Sequence, residues 1–306
     1  MDLYVTGSNS KMLSIDILTE FKDRGEEIRV NPLTFDEFMS AYQGDSRMAW
    51  TEFMMYGGMP FVLSKKEHAD KAAYLAGLFE RTYISDVIER NKLKGDKDVL
   101  EDLLNILASS VGSLTNTTKL ENTFKSKMGV NISHNTISAY IDTFIDAFII
   151  KKVARYDIKG RKYIGAQQKY FYSDVGLRNA RLNFRQQEEN HIMENILYNE
   201  LTARGFSVDV GVIETMIVNA DGKRQRTLLE VDFVCHRGHA RYYIQSALTV
   251  AEECKRHQET RSLLKINDSF VKIVVVRDNI VRWHDEAGIL YIGIEDFLLN
   301  YINMME

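Results

Sequence analysis

The sequence predicts a multidomain α/β protein, and three observations carry that expectation. Apolar residues alternate through Leu228-Leu-Glu-Val-Asp-Phe-Val-Cys235, and residues 241–247 read as a neighbouring strand, so the two suit a half-buried hairpin. A helical stretch over 252–266 and the run Val271-Lys-Ile-Val-Val-Val276, apolar but for Lys272, follow, the pattern of a crossover helix and a buried parallel strand. Upstream, residues 99–172 alternate between helical periodicity and a basic hairpin pattern. At 306 residues the chain is long enough for two or three domains, each burying its own core.

Taken in order, residues 3–14 read as a buried strand, a polar loop and the start of a helix. Residues 41–98 show helical spacing, broken by the turn Tyr56-Gly-Gly-Met-Pro-Phe61. Asp86, Glu89 and Arg90 stand three and four apart, as on a solvated, salt-bridged helix face. Helices are expected over 99–110 and 118–128, with Gly129 ending the second. Ser133 then caps a third, whose Ile137, Ile141, Phe144 and Phe148 fall on one face. With the hairpin that follows, this is the pattern of a winged helix over 99–172.

The third helix would occupy the recognition position, with His134, Asn135 and Thr136 at its exposed start. The hairpin carries Lys151, Lys152, Arg155, Lys159, Arg161, Lys162 and Lys169 against one acid, Asp157. Such a wing would contact DNA phosphates. Docking to a protein is the competing use, since the third helix has no Lys or Arg and carries Asp142 and Asp146. The formal net charge of −4 means that any nucleic-acid surface is local.

The last region begins at 173, with a long amphipathic helix over 188–204 and strands at 208–213, 228–235, 241–247, 271–276 and 289–292. Strict alternation puts Glu230 and Asp232 opposite Val231 and Phe233, and a turn over 236–241 returns Gln245 toward Asp232. This layout resembles the restriction-endonuclease-like superfamily, in which an Asp ends one strand, Glu-x-Lys lies on the next and a Glu stands on a preceding helix. The matching positions are Asp232, Gln245 and Glu194, and Ala247 stands where the Lys belongs. The resemblance implies Mg²⁺ or Mn²⁺ held by Glu194 and Asp232, with a weakened motif. The bland reading is a relic site whose polar residues satisfy one another. His191 with Glu194 is a further, thinner metal pairing, and no third ligand of suitable spacing accompanies it.

The opening Leu3-Tyr-Val-Thr-Gly-Ser-Asn-Ser-Lys-Met-Leu-Ser14 and the segment Asn31-Pro-Leu-Thr-Phe-Asp-Glu-Phe38 resemble a prokaryotic AAA-type ATPase family with a C-terminal domain of unknown function. The resemblance implies an AAA remnant over 1–40, a helical connector over 41–98, a winged helix over 99–172 and a nuclease-like domain over 173–306. Ser8 or Asn9 would take a sensor role and Arg24 a phosphate-facing or structural one; the alternative is that Asn9 and Ser10 cap a helix. Gly7 to Lys11 lacks a complete Walker A pattern, so ATP binding by this chain is not expected. Cys235 and Cys254 form no disulfide or zinc pattern, no apolar run approaches a membrane span, and the opening residues are not a signal peptide. A cytoplasmic, non-membrane protein is expected. Nucleic-acid binding without catalysis is the favoured function, with a metal-dependent nuclease and a protein-interaction module as alternatives.

Overall fold

The computed structural model describes residues 28–80, 87–88, 97–185, 188–218 and 224–305. Asn9 and Arg24, and likewise Asp86, Glu89 and Arg90, lie outside them. The architecture is mixed α/β, helical at the start and built around one large sheet. Among the described residues no helix is long and apolar enough to cross a membrane.

α1 (Phe35–Ala41) starts where Thr34 and Glu37 cap each other's backbone N–H. Its Phe35 and Phe38 pack on Trp50 and Phe53 of α2 (Ala49–Tyr56). The turn after α2 needs its glycines: Gly57 has φ 70°, and a Cβ on Gly58 would lie 2.2 Å from the Leu33 carbonyl oxygen. α3 (His68–Leu78) closes this helical layer.

α4 (Lys97–Ser109) and α5 (Thr117–Thr123) follow, the latter running on as a wider turn to Met128. α6 (His134–Asp146) is capped by Ser133, whose Oγ accepts the Thr136 N–H. Phe148, expected as the last apolar position of this helix, lies beyond its end with φ 56°. β1 (Ile150–Asp157) and β2 (Lys162–Tyr172) make the antiparallel basic hairpin. Ahead of α5, Thr115 forms a bridge to Gln168 of β2.

The hairpin is not a detached wing. β1 pairs in parallel with β3 (Ser207–Val218) at Arg155–Val210, Tyr156–Gly211 and Asp157–Val212, so one sheet crosses the expected boundary between residues 172 and 173. The remaining strands are β4 (Arg224–Arg237), β5 (Ala240–Ala247), β6 (Val271–Val276), β7 (Trp283–His284) and β8 (Leu290–Gly293). Among the described residues the order is β2-β1-β3-β4-β5-β6-β8-β7. β7, rather than β8, forms the edge, and Trp283 stacks on Tyr291 with ring centroids 4.2 Å apart. The turn expected over 236–241 is shorter: Arg237 pairs with Ala240 across Gly238 and His239, and Gly238 takes φ 59°.

α7 (Val175–Arg181) ties the helical layer to the sheet. Asp174 accepts the Leu177 and Gly58 N–H groups, and the Asn179 amide donates to the Met54 and Met55 carbonyls. α8 (Glu189–Ala203) covers one sheet face with Met193 and Leu197 against Phe171 and Phe233. On the opposite face, α9 (Glu253–Thr260) and the turn at Leu263–Lys265 replace the single helix expected over 252–266, burying Leu263 and Ile266 against Val231 and Val274.

Candidate functional site

The site begins with a slip in register between β3 and β4. Asp209 lies opposite Val234 but Gly211 opposite Val231, so β4 fits one residue more than its partner. Such a bulge re-aims the side chains beside it. Strict alternation would keep Val231 and Phe233 on one face; instead Val231 belongs to the core on the α9 side and Phe233 to the core under α8. Asp232 sits in this bulge. Its Oδ2 accepts the Ser246 N–H at 2.8 Å and the Gln245 Nε2 amide at 2.9 Å, so Asp232 and Gln245 do meet across the hairpin.

Glu194, on α8, joins them through a residue from another strand. Lys169 of β2 places its Nζ 3.0 Å from Glu194 Oε2, 2.7 Å from Glu230 Oε1 and 4.0 Å from Asp232 Oδ1. The Lys169 side chain is 3% exposed, those of Glu194 and Asp232 12% and 8%. Burial favours the neutral amine, but Glu194, Asp232 and Glu230 outweigh it and hold the Lys169 pKa above its ordinary value. Burial, with the Glu194 charge adding to it, pushes Asp232 up to about 7 against the pull of Lys169 and the Ser246 N–H. Burial also raises Glu194, which Lys169 opposes. Glu259 of α9 is raised by burial and by the Asp232 charge.

His191, one turn before Glu194, has its Nδ1 4.0 Å from Glu194 Oε1, buried and without a hydrogen-bond partner. Burial depresses its pKa, favouring the neutral ring. Gly112 closes the other side at φ 71°; a Cβ there would lie 3.1 Å from Glu194 Oε2 and 3.3 Å from His191 Nδ1.

Among the described residues no three His, Cys, Asp or Glu side chains are arranged to hold a metal ion. Glu194 and Asp232, the candidates for Mg²⁺ or Mn²⁺, face an ammonium. Gln245 spends its amide on Asp232, and Ala247 is buried against the opposite core. The donor set therefore fits Lys169 rather than a divalent cation.

The basic hairpin divides in two. Lys152, Lys159, Arg161 and Lys162 are exposed. Lys151 and Arg155, expected at the same surface, are not. Lys151 is half-buried over the Tyr198 ring and donates to Thr202 Oγ1 at 3.0 Å; burial, then the nearby Arg29, lowers its pKa to about 8. Arg155 is buried and reaches Gln167 Oε1 at 3.5 Å. At the start of α6, His134 and Asn135 are exposed, with His134 Nδ1 3.6 Å from Glu121, while Thr136 hydrogen-bonds Ser133.

Lys169 is the residue that sequence reasoning placed wrongly, as one more wing cation. It stands 63 positions before Asp232 (232 − 169), and no spacing rule links two strands at that distance. Glu230 carried a signal, its i, i+2 relation to Asp232.

A family model described as a domain of unknown function, DUF8612, matches residues 47–188, from just before α2 to the residue before α8. An uncharacterized protein of Methanocaldococcus jannaschii is 26% identical over 298 residues, covering 90% of this chain and 63% of its own length. The crystal structure of a Vibrio cholerae protein aligns over 67% of this chain and 56% of its own, at 11% identity and a TM-score of 0.27. An uncharacterized protein of Haemophilus influenzae is 33% identical over 306 residues, covering 97% of this chain and 71% of its own length. The chain belongs to the family of that Haemophilus protein.

Proposed function

We propose that this chain binds nucleic acid through its phosphates and does not hydrolyse it. The framework would combine a winged helix with a restriction-endonuclease-like core whose cation position is filled by Lys169. That lysine carries the reading. A nuclease of this kind gathers carboxylates around a hard divalent cation that activates water. Here an ammonium from β2 lies 3.0 Å from Glu194 and 2.7 Å from Glu230, supplying the positive charge from within the chain. Neutral Gln245 and apolar Ala247 complete a site that holds together without reacting.

Binding falls to the exposed cations Lys152, Lys159, Arg161 and Lys162. The competing acid, Asp157, is occupied with the turn, accepting the Lys159 and Gly160 N–H groups. The order α4, Thr115 bridge, α5, α6 and hairpin supports the winged-helix part, and the β4–β5 hairpin beneath α8 supports the nuclease-like part.

The test is fluorescence anisotropy of a labelled DNA duplex with this chain between about 50 and 200 mM salt, with Mn²⁺ present and the DNA inspected on a gel. Affinity should fall steeply with salt while the DNA stays intact. Replacing Lys152, Lys159, Arg161 and Lys162 together by Ala should lower the salt slope by up to about 3.6, at roughly 0.9 per phosphate contact. Cleavage abolished by a chelator would install the second reading, a metal-dependent nuclease. One observation favours it: Lys169, 4.0 Å from Asp232, offers in space the amine that Ala247 lacks. No binding at the lowest salt would assign the hairpin to a protein partner.

A further inference from the structure

β3 and β4 continue past the sheet that holds them. β1 pairs with β3 only at residues 210–212, and β5 pairs with β4 only at 233–237. Beyond those points, residues 213–218 and 224–229 pair with each other as a two-stranded ribbon. Six residues of strand reach about 20 Å at roughly 3.4 Å each. A two-stranded ribbon is marginally stable alone, so a protruding one is best explained by what it holds.

Its two faces differ. Ile213, Thr215, Thr227 and Leu229 are buried or half-buried, whereas Glu214, Met216, Arg224, Arg226 and Leu228 are exposed. Met216 and Leu228 are 56% and 53% exposed. By alternation along β4, Arg224, Arg226 and Leu228 share a face with Glu230, so this surface runs from the ribbon straight toward the Lys169 cluster.

The hairpin tip lies at the same end. β1 runs parallel to β3, and the Ile158 N–H donates to the Val212 carbonyl at 3.0 Å, setting the turn at 158–161 where the ribbon leaves the sheet. Lys159, Arg161, Lys162, Arg224 and Arg226 are therefore gathered at one end of an otherwise acidic chain. Of the acids among them Asp157 caps the turn, and Glu214 pairs with Arg226 at 2.8 Å, which leaves Arg224, among the described residues, as the ribbon's unshared cation beside the hairpin tip.

A polyanion fits this concentration of cations, and the exposed Met216 and Leu228 on the same face narrow its kind. A duplex shows phosphates but hides its base faces; an unpaired strand offers both. We infer that the β3–β4 ribbon is a second arm that, with the hairpin tip, holds an unpaired nucleic-acid strand. Arg224 takes a phosphate, and Met216 and Leu228 cover bases. This rests on the nucleic-acid reading above.

The test uses this whole chain, a labelled single-stranded DNA of about 20 nucleotides and the duplex of the same sequence. Arg224→Ala should reduce the single-strand salt slope by about 0.7, at roughly 0.7 per contact. Met216→Ser/Leu228→Ser should weaken single-strand binding about fivefold or more, leave its salt slope unchanged, and leave duplex binding unaltered. Thermal melting of each variant confirms that these exposed changes leave the fold intact. If both ribbon variants bind like the parent while the Lys152/Lys159/Arg161/Lys162→Ala variant loses affinity, the ribbon inference falls and the nucleic-acid reading stands. If the parent binds neither DNA at low salt, both fall.

Discussion

The β1–β2 hairpin carries the same residue types at its two ends and uses them in opposite ways. At its tip, Lys159, Arg161 and Lys162 stand in solvent. Toward its base, Lys151 and Lys169 are drawn in, yet even these two diverge. Lys169 meets three carboxylates and its pKa rises; Lys151 meets a hydroxyl and an aromatic ring and its pKa drops to about 8. A buried cation is set by its partners, an exposed one by the salt around it. Residue type alone tells nothing of which role a lysine plays.

The sharpest way to break this contrast is Lys169→Met. It would leave Glu194, Glu230 and Asp232 together without a counter-charge and should cost about 3–5 kcal/mol in urea unfolding at neutral pH. Lys159→Ala should stay within about 0.5 kcal/mol. Equal costs for the two would end the distinction.

Asp232 gives the next largest effect. Its folded pKa of about 7 lies above the ordinary 3.8, so the native state keeps a proton that the unfolded chain releases. This carboxyl therefore contributes stability below about pH 4 that is lost as pH rises toward 7, on the order of 2–4 kcal/mol at about 1.4 kcal/mol per pKa unit. Lys169, raised above its ordinary pKa, stays charged throughout that window and adds no slope. Asp232→Asn, whose Oδ1 still accepts the Ser246 N–H, should reduce the slope between pH 4 and 7 and leave the part that buried Asp174, raised to about 6, supplies. An unchanged slope in urea midpoints would remove Asp232 as its source.

Smaller effects sharpen the picture. Gly112→Ala adds a methyl beside Glu194 and His191 at φ 71° and should cost about 1–2 kcal/mol in thermal unfolding. Lys151→Met should cost least, about 1 kcal/mol or below, and leave the DNA salt slope untouched. The wild type should gain stability as pH rises from about 8 to 10.5, where the native state binds less proton at Lys151 than the unfolded chain does. The Met variant should lose that gain. A reduced salt slope in this variant would return Lys151 to the surface.

Much of the frame was legible because it depends on neighbours in sequence. The run at 271–276 is a strand with those same bounds, too short for a helix and buried on both faces from Ile273 to Val276, though Val271 and Lys272 at its start are not buried. Ser133 caps α6 because a hydroxyl three residues before an amide is all that a cap requires. The Asp232–Gln245 contact was legible too, since a hairpin folds a local distance back on itself. The bulge at Asp232 was not, because a register slip depends on the partner strand and leaves no mark in β4 alone. Nor was the entry of β1 into the main sheet, a parallel pairing between segments some 55 residues apart (Val210 − Arg155).

What the sequence by itself determined about this protein is most of its helices and strands, the cap at Ser133, and the chemical types around Asp232. Those follow from periodicity, backbone preference and hydrogen bonds that span a few residues. Only the tertiary structure decided which lysine becomes a buried counter-ion and which remains a surface charge. It also decided that β3 and β4 run out past the sheet as a ribbon. Desolvation and charge pairing act between groups brought together in space, and Lys169 acquires its role only when β2 carries it into the company of Glu194, Glu230 and Asp232.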